Sequence, residues 1–147
     1  MSILVRKVRM RDAQELIALS RQFDGDGPDI VDDVEVVRES IEHNPTELVL
    51  VAEDDEKLVG FATLQLTDSF SYKRKTAELT GIYVEEASRR LGVASKLVEN
   101  VMRTCEVNNV LELFLRVNKN NSNAIRFYEK SGLKQADHFE YRIKCYE

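Results

Sequence analysis

The chain has no tryptophan, and its 147 residues include only two cysteines, two prolines, two histidines and six glycines. Cys105 and Cys145 are too few for a disulfide framework, and neither belongs to a C-x-x-C or His-paired motif. His43 and His138 fall in unrelated elements without metal-ligand spacing, so no metal is expected. Pro28 and Pro45 are isolated, and no repeat, linker or low-complexity run marks a boundary, which predicts one domain over residues 1–147. Long apolar runs are also missing. Nothing approaches the roughly 20 residues that span a bilayer, and the Met1-Ser2-Ile3-Leu4-Val5-Arg6 start lacks a signal-peptide core, so a soluble cytoplasmic protein with no membrane partner is expected. A basic excess is absent too. The net charge of −5 argues against a nucleic-acid partner and favours a cationic substrate.

What is present is enough apolar material, 43% of residues, for one core, arranged with clear periodicity. Residues 3–9 alternate as a strand. Asp12-Ala13-Gln14-Glu15 has the form of a capping box, opening a helix through about Phe23 with Leu16, Leu19, Ser20 and Phe23 on its inner face. After Gly25-Asp26-Gly27-Pro28, either Asp32 or Asp33 can cap a second helix to about His43, turning Val34, Val37 and Ile41 inward with Val36 at their margin. Residues 48–53 and 57–66 read as a hairpin closed by Asp54-Asp55-Glu56, and residues 77–84 as the next strand. Leu91, Ala94, Leu97, Val98, Val101, Met102 and Cys105 recur at helical spacing. Residues 110–117 form a nearly continuous apolar run, as for a central strand buried on both faces, and residues 133–143 supply a last strand or pair. The one basic run, Lys73-Arg74-Lys75, reads most simply as a solvated loop, with contact to a phosphate group as the less favoured reading.

Two segments carry chemistry. Arg89-Arg90-Leu91-Gly92-Val93-Ala94 has the form R-x-x-G-x-A at the mouth of the third helix. Residues without bulk let an anion approach the main chain there, and a helix N-terminus adds partial positive charge. Downstream, Asn121-Ser122-Asn123-Ala124-Ile125-Arg126-Phe127-Tyr128-Glu129-Lys130-Ser131-Gly132 places the Tyr128 phenol one helical turn past Ala124. In this order, with one strand-like run between them, the segments resemble the GNAT family of N-acetyltransferases. The resemblance spans most of the chain and is strongest over residues 79–133.

The resemblance implies an α/β fold of the α+β type: a mixed, mostly antiparallel sheet flanked by about four helices, with residues 77–84 and 110–117 as a splayed parallel pair of central strands. It implies acetyl-CoA as cosubstrate, its pantetheine arm pairing with main-chain groups of Ile82, Tyr83 and Val84. Arg89, Arg90, Leu91, Gly92, Val93, Ala94 and Ser95 then form the pyrophosphate loop, and Asn121 contacts the cofactor arm. Tyr128 contacts the cofactor and is the general acid that protonates the departing thiolate. Plainer readings stand beside these: solvated arginines at a helix start, an N-cap for Asn121, and a core aromatic for Tyr128.

The implied activity is transfer of an acetyl group to a primary amine by direct attack in a ternary complex. Members that acetylate ribosomal proteins keep a Glu five residues before the motif Asn, where this chain has Arg116. Glu78, which simple alternation puts on the face of Ile82 and Val84, is the first substitute base and Glu112 the second; each also reads as a structural carboxylate. Glu86 stands where the family often has Pro, and Leu133 where it often has Phe. Asp24, Asp26, Asp29, Asp32, Asp33 and Glu35 can steer a cationic acceptor such as a polyamine, an aminoglycoside or a lysine-rich peptide, or can simply be a solvated loop with helix caps. Residues 79–84 with 89–94 look locally like some aminoglycoside acetyltransferases. Two functions stay open: an acetyl-CoA-dependent N-acetyltransferase acting on a small cationic molecule or a protein amine, and a non-catalytic acetyl-CoA-binding sensor of the same fold. The resemblance admits a homodimer, and no interface is legible in the sequence.

Overall fold

The alternation at the start of the chain forms β1 (Ile3–Lys7), and the hairpin forms β2 (Glu47–Asp54) and β3 (Lys57–Thr67) around a turn with Asp55 and Glu56 at φ of 53° and 69°. β4 (Lys75–Val84) pairs antiparallel with β3, and β5 (Val110–Phe114) pairs parallel with β4, giving the order β1-β2-β3-β4-β5. A parallel neighbour needs a crossover, here α3 (Val93–Val107). The remaining helices are α1 (Ala13–Asp24), α2 (Val34–His43) and α4 (Ser122–Lys130). The mixed sheet and four α-helices are those the sequence predicts. This computed structural model describes residues 2–146, in two compact units divided after Arg116: the first holds the sheet and α1 to α3, the second α4.

Adjacent strand residues face opposite ways, and β3 uses both faces. Phe61 joins Val49, Val51 and Leu58 under Leu16 and Leu19 of α1, with Val37 and Ile41 of α2 and Tyr83 packed against them. Each such side chain contributes about 1.5–3 kcal/mol on burial. Gly60 faces α3 instead; a Cβ there would stand 2.8 Å from the Tyr83 carbonyl oxygen and 3.5 Å from Leu97, so the bare backbone lets the helix approach. α3 buries Val93, Leu97, Val98, Val101 and Cys105.

Several local expectations are corrected. The Asp12-to-Glu15 capping box does not form. Asp12 accepts from the Arg9 N–H (2.7 Å) and twice from the Arg6 guanidinium (2.8 and 2.9 Å), while Glu15 accepts from the Leu58 N–H (3.1 Å). A bidentate guanidinium outcompetes a lone helix N–H for a carboxylate. In α1, Ile17 is buried with Leu16 and Leu19, whereas Phe23 is 44% exposed and meets Phe61 edge-on. Asp33 is the cap of α2, accepting from the Glu35 N–H (2.9 Å), and Val36 is exposed. Gly92 ends the left-handed turn before α3, so the helix's apolar stripe starts at Val93, and Leu91 and Met102 are exposed.

β5 is not a central strand. It stops at Phe114, ends the sheet, and exposes Leu111 and Phe114. Residues 133–143 form no strand, and Phe139, Tyr141 and Ile143 are 87%, 90% and 88% exposed. Alternating apolar residues supply a face, but a strand also needs a neighbouring edge to complete its ladder.

Candidate functional site

β4 outruns β5. Their pairing extends from Lys75↔Val110 to Glu78↔Phe114 and ends, while β4 continues to Val84, held on its other side by Gly60↔Val84 and Phe61↔Tyr83 of β3. The side of β4 that faced β5 is therefore without a strand partner over residues 79–84, where alternate residues turn main-chain groups toward an extended partner; the Val84 carbonyl is already taken by Arg89. Ile82, Tyr83 and Val84 lie on this stretch, and the fork between the parallel strands is the splay that the sequence predicts.

A register shift decides which side chains line the fork. Thr63 of β3 opposes Gly81 and Leu64 opposes Leu79, leaving Thr80 as the extra residue of a bulge. Leu64 and Ala62 share a face, so their partners Leu79 and Ile82 share it too. Glu78 is consequently on the opposite face, with Gly81 and Tyr83, and not with Ile82 and Val84 as uninterrupted alternation predicts. On this face Phe23, Phe61 and Tyr83 form an aromatic cluster with ring centroids 5.9–6.1 Å apart. The Tyr83 hydroxyl donates to Gln22 Oε1 (2.9 Å), and the Thr63 and Thr80 hydroxyls share a hydrogen bond of 2.8 Å. Glu78 carries an ion pair of its own, to the Arg116 guanidinium at 3.2 Å. Glu112, the second candidate base, is exposed on β5.

The chain leaves β4 through a tethered loop. The Glu85 N–H donates to the Val59 carbonyl (2.8 Å), and the Glu85 carboxylate accepts from the buried Ser88 hydroxyl (3.1 Å) and lies 3.6 Å from Lys57 Nζ. Arg90 and Gly92 both take left-handed backbone, at φ of 67° and 80°. The first helical bond of α3 runs from the Lys96 N–H to the Gly92 carbonyl (3.1 Å), and no side chain caps the start. The N–H groups of Val93, Ala94 and Ser95 thus have no intrahelical acceptor, and the partial positive charge of a 15-residue helix is open to an anion. Arg90 and Leu91 are exposed beside it. Arg89 turns back toward the strand: its Nε donates to the Val84 carbonyl (2.9 Å), and its guanidinium stacks 5.4 Å from the Tyr83 ring centroid.

In the second unit Asn121 caps α4, its Oδ1 accepting from the Ala124 N–H (3.2 Å), so the plainer reading of Asn121 is realised. Tyr128 is half-buried, with its ring 5.5 Å from Phe127, and its hydroxyl makes no hydrogen bond among the described residues of the unit. Burial pushes the phenol above its ordinary value, so at neutral pH it holds the proton that a general acid must give.

Much of the acidic stretch is occupied locally. Arg21 reaches Asp32 (3.2 Å) and Asp26 (4.0 Å), and Asp33 is spent on its helix cap. The Glu78–Arg116 pair and the bulge at Thr80 escape sequence reading; Gly81 inside a strand pattern was the available signal. Among the described residues, no group of three or more His, Cys, Asp or Glu side chains could hold a metal, and no helix is long and apolar enough to cross a membrane.

The sequence model of the Acetyltransferase (GNAT) family matches residues 13–133. An N-alpha-acetyltransferase of Sulfurisphaera tokodaii is 35% identical over 92 residues, which are 58% of this chain and 55% of the relative. The chain spans about half (55%) the length of the curated relatives it matches. Two solved structures share the fold. The ribosomal-protein-alanine N-acetyltransferase of Brucella melitensis biovar Abortus superposes with a TM-score of 0.82 at 20% identity, over 98% of this chain and 99% of its own. An aminoglycoside acetyltransferase from an uncultured soil metagenomic sample, in complex with sisomicin, superposes with a TM-score of 0.79 at 20% identity, over 97% of both chains.

Proposed function

This chain belongs to the GNAT acetyltransferase family, and on that premise we propose that it transfers the acetyl group of acetyl-CoA to a primary amine by direct attack within a ternary complex. The observation that carries the reading is the run from an open β4 edge into an uncapped helix start, because a linear cofactor with a thioester arm and a pyrophosphate needs both in that order. Main-chain groups at Ile82, Tyr83 and Val84 take the arm. The N–H groups of Val93, Ala94 and Ser95, in the loop formed by Arg89, Arg90, Leu91 and Gly92, take the pyrophosphate. The bare Gly92 fits this role: a Cβ built there meets nothing within 4 Å, so its left-handed φ and not crowding is what demands glycine. Acetyl-CoA supplies an activated carbonyl with a thiolate leaving group.

The protein's part is to hold and to move protons. Asn121, at the cap of α4, adds a contact to the arm. Backbone N–H groups near Val84 receive the developing oxyanion, Tyr128 protonates the leaving sulfur, and Glu78 relieves the acceptor ammonium of its proton, directly or through water. The acceptor is a primary amine of a small molecule or of a protein. The relative and the two structural neighbours are named for protein α-amines and aminoglycosides, and this supports an amine without selecting one. The second reading, a sensor that binds acetyl-CoA without turnover, draws on Arg116 standing where a catalytic Glu stands in some relatives.

Calorimetry with coenzyme A and with pantetheine, which lacks the pyrophosphate, tests the binding mode. In Gly92→Val, forcing a β-branched residue to positive φ costs about 1–2 kcal/mol of stability. Affinity for coenzyme A is expected to fall about tenfold or more, with pantetheine binding little changed. Equal losses for both ligands would remove the helix start from the pyrophosphate site.

A further inference from the structure

Under α2, on the sheet face that carries Val49, Val51 and Phe61, lies a cavity of about 330 Å³, at the small end of the range for ligand pockets. Its wall is apolar, with Val31 ahead of α2, Val36, Val37 and Ile41 on the helix, and Val8 and Val49 at the sheet. Val31 and Val36 are 50% and 51% exposed, so the wall is open to water at its mouth.

One carboxylate interrupts this wall. Glu47, the first residue of β2, shares the cavity face with Val49 by strand alternation and is half-buried. Its backbone is fixed there, because Asn44, the C-cap of α2, accepts through Oδ1 from the N–H groups of Thr46 and Glu47, both at 3.1 Å. Among the described residues the Glu47 carboxylate has no hydrogen bond or ion pair. Gln65, opposite it in the ladder, donates instead to the Thr46 hydroxyl (2.7 Å), while Arg38 and His43 of α2 lie beside Glu35 and Glu39 (3.7 and 3.6 Å). Lys7 also borders the cavity, but it pairs with Leu50, which opposes Ala62 on the other face of the sheet. Glu42, the remaining charged residue of the lining, is a second acid. Burial pushes the Glu47 carboxyl above its ordinary value, as for an anion that water serves poorly.

A wall of valines with one uncompensated carboxylate matches a ligand with an apolar body and one positive end. An ammonium brings the charge and three donors. A neutral alcohol leaves the charge unmet, and an anionic ligand meets Glu42 and Glu47 as like charges. We propose that this cavity is a binding site for an alkylamine, with Glu47 as the counter-ion of the ammonium and the valines around the chain. The site belongs to β2 and α2, whereas acetyl transfer draws on β4, α3 and α4, so each stands or falls without the other.

Calorimetry with hexylamine, butylamine and hexanol tests the site at about pH 8, where an alkylammonium keeps its charge. Hexylamine is expected to bind about tenfold or more tightly than hexanol, and each methylene added from butylamine to hexylamine to tighten binding about fourfold. Glu47→Gln weakens hexylamine about tenfold or more and leaves hexanol within about twofold, and Glu47→Asp, which keeps the charge, retains the preference for the amine. Val36→Ser, at a half-exposed position, weakens both ligands about threefold or more. Acetyl-CoA affinity and the thermal midpoint of Glu47→Gln stay at their wild-type values, since an unpaired carboxylate has no ion pair to lose. A carboxylate kept only to hold the turn between α2 and β2 would instead lower the midpoint and weaken amine and alcohol together, and that result overturns the site. Hexylamine binding that is absent, no tighter than that of hexanol, or indifferent to Glu47→Gln overturns it as well, with acetyl transfer untouched.

Discussion

Tyr128→Phe is expected to lower kcat about 10²-fold or more, the range that loss of a positioned general acid produces, with the dissociation constant of acetyl-CoA changed by no more than about twofold. The substitution removes one oxygen and keeps the ring that packs 5.5 Å from Phe127 on α4, so the fold of that helix is preserved. Because burial raises the phenol's pKa, the wild-type acid stays protonated through the neutral range, and the alkaline fall of kcat should come only above the ordinary tyrosine value of about 10. Steady-state kinetics over pH 6 to 10 with both proteins, alongside calorimetry of acetyl-CoA binding, check this. A kcat within about threefold of wild type, well short of the loss expected for a general acid, would remove Tyr128 from the chemistry.

Arg6→Met is expected to cost about 3–5 kcal/mol of stability, because it strands buried carboxylates. Arg6 donates to both oxygens of Asp12 (2.8 and 2.9 Å) and, through two of its nitrogens, to Glu53 Oε2 (3.0 and 3.2 Å). The side chains of Arg6, Asp12 and Glu53 are only 11%, 5% and 15% exposed. The triple variant Arg6→Met, Asp12→Asn, Glu53→Gln should recover much of the loss, since no charge is then left unpaired and the amide oxygen that replaces the Asp12 carboxylate can still accept from the Arg9 N–H. Chemical denaturation of wild type, single and triple variants measures it; a triple variant no more stable than the single one would contradict this role for the network.

The same network sets a pH dependence. Burial alone would raise the Asp12 pKa, but hydrogen bonds from Arg6 and the Arg9 N–H, with the Arg6 charge, outweigh it and hold the carboxyl below its ordinary value. A carboxyl depressed in the folded state stabilises the protein above its unfolded pKa of about 3.9, and that contribution is lost as pH falls through the folded value. Hydrogen bonding to Asp12 keeps the Arg6 guanidinium charged throughout, so the loss comes from the acid side only.

Why some of this was legible in the sequence and some was not follows from the range of each signal. Asn121 before a helical apolar stripe is a local pattern: the cap that it demands is set within four residues, and it formed as the plainer reading has it. The stripe read from Leu91 starts only at Val93, after the left-handed Gly92. The Asp12-to-Glu15 box uses equally local rules and failed, because Arg6 and the Leu58 N–H, brought in by the sheet, compete for the same carboxylates. Glu78 was placed on the wrong face because period-two alternation assumes an unbroken register, and one bulge at Thr80 inverts every assignment beyond it. The Glu78–Arg116 pair links a strand to the segment that follows its parallel neighbour, a proximity that spacing along the chain does not encode. Phe139, Tyr141 and Ile143 alternate well enough for a strand, yet pairing is a property of two segments, and the pattern describes one.

The most direct test of acetyl transfer is amine-dependent release of thiol from acetyl-CoA by the wild-type protein, followed spectrophotometrically across amino acids, polyamines, aminoglycosides and basic peptides. Saturable release with at least one amine, in stoichiometric step with the acetylated product, is the expected result. Binding of acetyl-CoA without release for every amine would contradict it and place the chain among cofactor sensors.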